Sequence, residues 1–126
     1  MPKIIIVSGP VIIEDNKVLL DRHGKDNFWK FPGGQVENSE TGLIETTKIK
    51  VKEELSIDIE IQNPTPIITH AKKDDATDVI LVHFTAKRIG EIKPGENIRE
   101  WKWHPTDNLP NDCAPNIKPI IQQIMK

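Results

Sequence analysis

The residues best suited to chemistry lie between Phe31 and Asp58, in the stretch FPGGQVENSETGLIETTKIKVKEELSID. Gly33 and Gly34 leave the backbone bare, so a loop there can approach a phosphate or offer a carbonyl oxygen to a metal. Three acidic groups follow: Glu37, Glu40 and the adjacent pair Glu53-Glu54. At about 100° per residue, a helix after Thr41 gathers Ile44, Thr47, Val51 and Leu55 into one stripe centred near Val51. Thr46, Ile49, Lys50, Glu53 and Glu54 then lie on the far side, where Ile49 is out of character. Adjacent carboxylates on one helix face, near a bare glycine loop, make an oxygen-rich site suited to Mg²⁺ or Mn²⁺. Such an ion neutralises diphosphate charge and activates a water. The plainer alternative is a solvated face, with Lys48, Lys50 and Lys52 offering partners to Glu45, Glu53 and Glu54.

The elements around this stretch must position it. Lys3 to Glu14 is rich in Ile and Val and reads as a strand bent at Ser8-Gly9-Pro10. Asp15-Asn16 is a turn signal, and Lys17 to Arg22 completes a hairpin. Arg22 to Asn27 reads as a polar loop. Thr41 is the expected N-cap of the central helix, with Glu45 in its first turn. Ile57–Ile61, a short Ile67–His70 and Asp78–Arg88 read as strands, with a charged turn over Lys72 to Asp75. Pro94-Gly95 marks a turn, Ile98 to His104 alternates as a strand, and Asn108 to Pro115 is loop. Ile117, Ile120, Ile121 and Ile124 give an amphipathic last helix. The order implies an α+β fold, an α/β/α sandwich with a mixed sheet between helices.

Composition sets outer limits. With 126 residues, the chain is expected to form a single domain, residues 1–126. Charged residues make up 29% and the net charge is −2, which argues against coating of DNA or RNA polymers. The lone Cys113 cannot form an internal disulfide, and a reducing, cytoplasmic setting is expected. The apolar run near Met1 is far too short to span a membrane and reads as a buried strand, so no membrane association is expected.

The central stretch resembles the Nudix box, G-x5-E-x7-R-E-U-x-E-E-x-G-U, where U is a bulky aliphatic. Gly34 takes the first position and Glu40 sits at the required spacing. Glu53-Glu54 take the late acidic pair, and Ile57 takes the last aliphatic. The Phe-Pro-Gly-Gly lead-in, the Val36-Glu37 step, Trp29, the preceding hairpin and the Ala-Pro-Asn-Ile-Lys opening of the last helix also look like the family. The second half departs from the pattern. Counting forward from Glu40 puts Lys48-Ile49 at Arg-Glu, whereas counting back from Glu53-Glu54 puts Ile49-Lys50 there. Helix geometry is rigid and loop length is not, so the backward count is preferred, with one extra residue such as Gly42 at the junction. Lys50 then stands where the family has a metal-binding glutamate, and Ser56 where it has glycine.

The resemblance implies a Nudix fold whose mixed sheet lies between the Nudix helix and the C-terminal helix. It implies a pyrophosphohydrolase acting on a nucleoside diphosphate linked to another moiety. Glu53, Glu54 and the Gly34 carbonyl would hold Mg²⁺ or Mn²⁺, and Glu53, Glu54 and Glu96 are the candidate catalytic acids. Gly33, Gly34, Arg22, Asn116 and Lys118 are candidate substrate contacts. The last two open a helix where free amides favour anions, although capping serves equally well. The partner implied is a small-molecule nucleotide, and pairing into a homodimer is left open. A nucleotide-binding module without turnover is the alternative, favoured by Lys50. Glu91 competes weakly with Glu96 as a loop acid. His23 and Lys25 share the loop of Arg22, divided between phosphate contact and plain exposure. Trp101 and Trp103 read as core, His70, His83 and His104 as structural, and Cys113 as inert.

Overall fold

The computed structural model describes residues 3–37 and 42–126. Strand β1 (Lys3–Glu14) runs into β2 (Lys17–His23) through Asp15 and Asn16. Both turn residues have positive φ, 52° and 62°. Asp and Asn tolerate this left-handed region, and such a two-residue turn matches the twist of the strands it joins. A two-residue strand β3 (Gly34–Gln35) pairs with β1 at Val7 and Ser8. Helix α1 (Leu43–Leu55) follows, then β4 (Asp58–Ile61), β5 (Ile67–Asp74), β6 (Thr77–Ile89), β7 (Ile98–Pro105) and helix α2 (Ile117–Ile124).

The sheet runs β4-β6-β1-β2-β7, with β3 beside β1 and β5 beside β6. It is mixed, since β1 and β6 are parallel from Lys3↔Thr77 to Ile12↔Ala86 and the other pairs are antiparallel. The central strands are covered on both faces over Ser8–Ile12 and Val18–Asp21, where they read as continuous apolar runs. The start of β1 is not the buried strand expected, since Ile4 and Ile6 are exposed at the end of the sheet that neither helix covers. Val11, Val18 and Leu20 face Trp29, Phe31 and the apolar side of α2 at Ile117, Ile120 and Ile121. Ile12 and Leu19 face Val51 and Leu55 of α1, with Trp101 and Trp103 half-buried at the margin. The expected α/β/α layering is therefore present. Among the described residues no helix is long and apolar enough to cross a membrane.

Several local expectations change. Gly42 holds the N-cap of α1 with no side-chain cap, and Thr41, like Glu40, lies outside the described residues. Thr46 is buried beside Thr47, so the packed face of α1 is wider than the apolar stripe. Lys72–Asp75 is not a free turn: β5 continues to Asp74 because its backbone keeps pairing with β6 through Lys72↔Asp78. β2 continues one residue past Arg22, so His23 is a strand residue and not a loop residue.

Candidate active site

The site is assembled by three backbone arrangements. The Phe-Pro-Gly-Gly turn presses directly on β1. A Cβ on Gly9 would lie 2.0 Å from the Pro32 carbonyl oxygen, and one on Gly33 would lie 2.7 Å from that of Ser8. Gly33 also has φ 141°, a conformation that L side chains rarely adopt. This contact aims the Gly33 N–H at Glu54 Oε1, 2.9 Å away. Helix α1 is fixed to β1 by buried hydroxyls, with Ser8 Oγ 2.6 Å from Thr47 Oγ1 and donating to the Leu43 carbonyl.

The C-terminal end of α1 is the second arrangement. Ser56 sits in the left-handed region, φ 61°, and its N–H bonds the Lys52 carbonyl. The loop before β7 then satisfies carbonyls the helix leaves open: Lys93 N–H donates to Leu55 O and Gly95 N–H to Glu54 O. The Gly95 contact brings Glu96 to the site, since a Cβ on Gly95 would lie 2.8 Å from the Glu53 carbonyl oxygen.

The third arrangement is β2. Residues two apart share a face of a strand, so Leu19, Asp21 and His23 all point toward α1. The pairing with β7 shifts here, from Arg22↔Glu100 to His23↔Ile98, so the extra residue is Arg99 on β7 and the alternation of β2 is kept. His23 Nε2 lies 3.1 Å from Asp21 Oδ1 and 3.2 Å from Glu54 Oε2.

Together these arrangements frame a cleft of about 250 Å³ lined by His23, Gly33, Gly34, Lys50, Glu53, Glu54 and Glu96. A larger, shallower depression of about 470 Å³ lies against Trp29, His104 and Asn108 and contains none of the expected site residues. Within the cleft the two adjacent glutamates differ. Glu54 is 13% exposed, and its pKa is pushed up to about 7 by burial, against the opposing pull of His23. Glu53 is 63% exposed and lies 4.0 Å from Lys50 Nζ. Lys50 reaches across to Glu37 Oε1 at 3.2 Å, and its aliphatic stem lies where a Gly34 side chain would be. The His23 pKa is raised, chiefly by the Asp21 carboxylate, although burial opposes this.

Of the residues expected from sequence, Glu53, Glu54, Glu96, Gly33 and Gly34 converge on this cleft. The other three do not. Arg22 is on the opposite face of β2, stacked 4.4 Å from the Trp29 ring and paired with Glu100 at 2.8 Å and with Asp112. Lys118 lines a separate hollow with Asp107 and Gln122, and Asn116 makes no side-chain cap bond at the start of α2. His23, divided above between phosphate contact and exposure, lines the cleft, whereas Asp21 was missed as a site residue. The available signal was an acid and a histidine spaced two apart at the end of a strand buried on both faces. His83 and His104 are buried in packing roles, against Phe31 and Trp29.

Comparison with known proteins agrees with this frame. The NUDIX domain family model matches residues 4–124. The chain belongs to the NUDIX family. No curated protein sequence matches it significantly. Among solved structures, the E. coli ORF135 protein is similar at TM-score 0.81 and 22% identity, over 98% of this chain and 90% of that one. The MutT NUDIX hydrolase from Burkholderia pseudomallei is similar at TM-score 0.81 and 20% identity, over 97% and 98%. A MutT protein from Bacillus halodurans matches at TM-score 0.72 and 25% identity, over 96% and 82%. Members of this family act on phosphoric anhydrides.

Proposed function

We propose that this NUDIX chain is a pyrophosphohydrolase that cleaves a nucleoside diphosphate linked to another moiety, with a divalent cation as cofactor. The observation that carries this reading is Glu54. It is a carboxyl only 13% exposed, held in the cleft by the Gly33 amide and His23, beside the bare Gly33-Gly34 backbone. The donors fit a divalent ion on the inner side of α1, where Glu54 is rigidly placed and carboxylate-rich. On the outer side Lys50 already supplies a positive charge to Glu53. Glu53, Glu54 and the Gly34 carbonyl would hold Mg²⁺ or Mn²⁺, which when bound neutralises diphosphate charge and acidifies water.

The remaining chemistry belongs to the chain. Gly33 and Gly34 let a diphosphate approach the backbone closely. Glu54 or Glu96 accepts the proton of the attacking water. His23 keeps Glu54 Oε2 oriented from the opposite side. Lys50 adds a fixed charge at the cleft wall that can face a phosphate oxygen. Catalysis is then mostly positioning and charge compensation. The substrate is a small nucleotide, and the setting is the cytoplasm.

A second reading is a nucleotide-binding module that does not turn over its ligand. The Lys50 ammonium, 3.2 Å from Glu37 and 4.0 Å from Glu53, favours it by filling a cation's place. One experiment separates the two. The protein is incubated with a panel of nucleoside-diphosphate compounds, with Mg²⁺, Mn²⁺ or chelator, beside Glu54→Gln, and products are followed by chromatography. Metal-dependent cleavage absent from the variant supports the hydrolase. Thermal-shift binding with no turnover across the panel supports the module.

A further inference from the structure

We propose that Asp21, His23 and Glu54 form a binding site for one divalent transition ion of the Mn²⁺ or Zn²⁺ class, with a nitrogen ligand from His23. The three side chains offer ligand atoms that all lie within 4.8 Å of one another. The measured edges are His23 Nε2 to Asp21 Oδ1, 3.1 Å, and His23 Nε2 to Glu54 Oε2, 3.2 Å. Bonds of about 2.0–2.2 Å give ligand edges of about 3.0 Å in an octahedron and about 3.4 Å in a tetrahedron. Both measured edges fall between these limits.

Asp21 supplies the independent observation. Its side chain is 0% exposed, and among the described residues neither carboxylate oxygen receives a well-aligned hydrogen bond. The nearby His23 nitrogen is at ion-pair distance without hydrogen-bond alignment. A buried carboxylate left without donors is costly, whereas a cation bound directly to it removes that cost. Access is available, because His23 and Glu54 line the cleft while Asp21 lies behind them. Two carboxylates and a neutral imidazole balance a divalent charge. An imidazole in the set favours Zn²⁺, is accepted by Mn²⁺ beside two carboxylates, and disfavours Mg²⁺, which keeps to oxygen ligands.

The site shares Glu54 with the hydrolase reading but lies on the strand side of it, and it requires no turnover. Where the helix carries Lys50 and Ile49, β2 contributes Asp21 and His23.

The test uses the full chain, stripped with chelator and then titrated with Mn²⁺ alone. Pulsed electron paramagnetic resonance reports whether a nitrogen is bonded to the ion. One Mn²⁺ per chain is expected, with nitrogen coupling, displaced by Zn²⁺ and not by equimolar Mg²⁺. His23→Gln should abolish the coupling and weaken binding by more than about tenfold, since even outer-shell partners of a metal ligand are worth about 10–100-fold. Asp21→Asn, of nearly the same shape and checked for folding by circular dichroism, should weaken binding to a similar degree. Bound Mn²⁺ without nitrogen coupling would overturn the proposal, as would no binding by the wild-type chain or wild-type affinity in Asp21→Asn. Nitrogen-coupled Mn²⁺ in a protein that cleaves no diphosphate would sink the hydrolase reading and leave this site standing. Diphosphate cleavage in a protein whose bound Mn²⁺ shows no nitrogen coupling would do the reverse.

Discussion

Glu53 and Glu54 are neighbours in the chain and face opposite conditions. Glu54 is pressed between the Gly33 amide and His23, with the buried Asp21 behind. Glu53 stands in solvent with Lys50 as its nearest cation. One helical step of about 100° therefore separates a carboxyl whose proton affinity is reset by burial from one that solvent screens. Composition is not what distinguishes a functional acid here. What surrounds each one does, and the surroundings come from β1, β2 and the loop before β7 rather than from α1 itself.

The largest expected effect tests that contrast directly. Glu54→Gln should lower kcat on a cleaved diphosphate by about a hundredfold or more, the usual scale for losing a positioned acid or base. Glu53→Gln should cost less, about tenfold and largely recovered at high metal concentration, because this ligand is exposed and already lies beside the Lys50 ammonium. Equal losses in the two variants, read by product chromatography, would break the comparison.

The second effect concerns pH and is read in the chelator-treated protein. Folding raises the Glu54 pKa from 4.5 to about 7, so the folded state binds this proton more tightly. The resulting stability is fully present below 4.5 and is lost as pH rises through about 7. His23, also raised, acts in the same direction. The rise at Glu54 amounts to about 3 kcal/mol at most. Thermal denaturation should therefore show stability falling between about pH 5 and pH 8, with a shallower slope in Glu54→Gln. A slope unchanged by that substitution would mean the inner carboxyl is not set apart. Bound Mn²⁺ should flatten or reverse the slope, since metal ligands must give up their protons.

The site was only partly legible in the sequence. Gly33, Gly34, Glu53 and Glu54 announce themselves because spacing along one helix and one loop is a local property. Lys50 is legible for the same reason, once the rigid helix is used to set the register, and the structure places it on the cleft wall against Gly34. Asp21 and His23 are different. Their meaning depends on which face of β2 meets α1, and that is a tertiary fact. The layering of the fold was readable because its two cores are carried by strong apolar runs at Val11-Ile12 and Val18–Leu20. The extension of β5 to Asp74 was hidden, since charged residues there pair through their backbones.

Lys50 sharpens the outer half of the comparison. Lys50→Glu removes an ammonium and restores a carboxylate beside Glu53, so it should tighten Mn²⁺ or Mg²⁺ about tenfold by calorimetry, the scale of one strengthened charge contact. Unchanged affinity would mean that Lys50 does not occupy a cation's place, and the nucleotide-binding reading would lose the observation that favours it.

The smallest effect is expected at Arg22, which separates the two faces of β2. His23 points to the cleft, while Arg22 points away, stacked on Trp29 and paired with Glu100 and Asp112. That clip ties β2 to β7 and to the loop before α2. Arg22→Ala should lower stability by about 1 kcal/mol through lost stacking and charge contacts, and leave KM within about twofold. Arg22→Lys should recover only part of the stability, because an ammonium cannot reproduce the planar stack and fork. A large rise in KM with an unchanged melting temperature would instead make Arg22 a substrate contact. The guanidinium would then have to leave Trp29 and swing around the strand end on binding, and the division of labour between the two faces of β2 would fail.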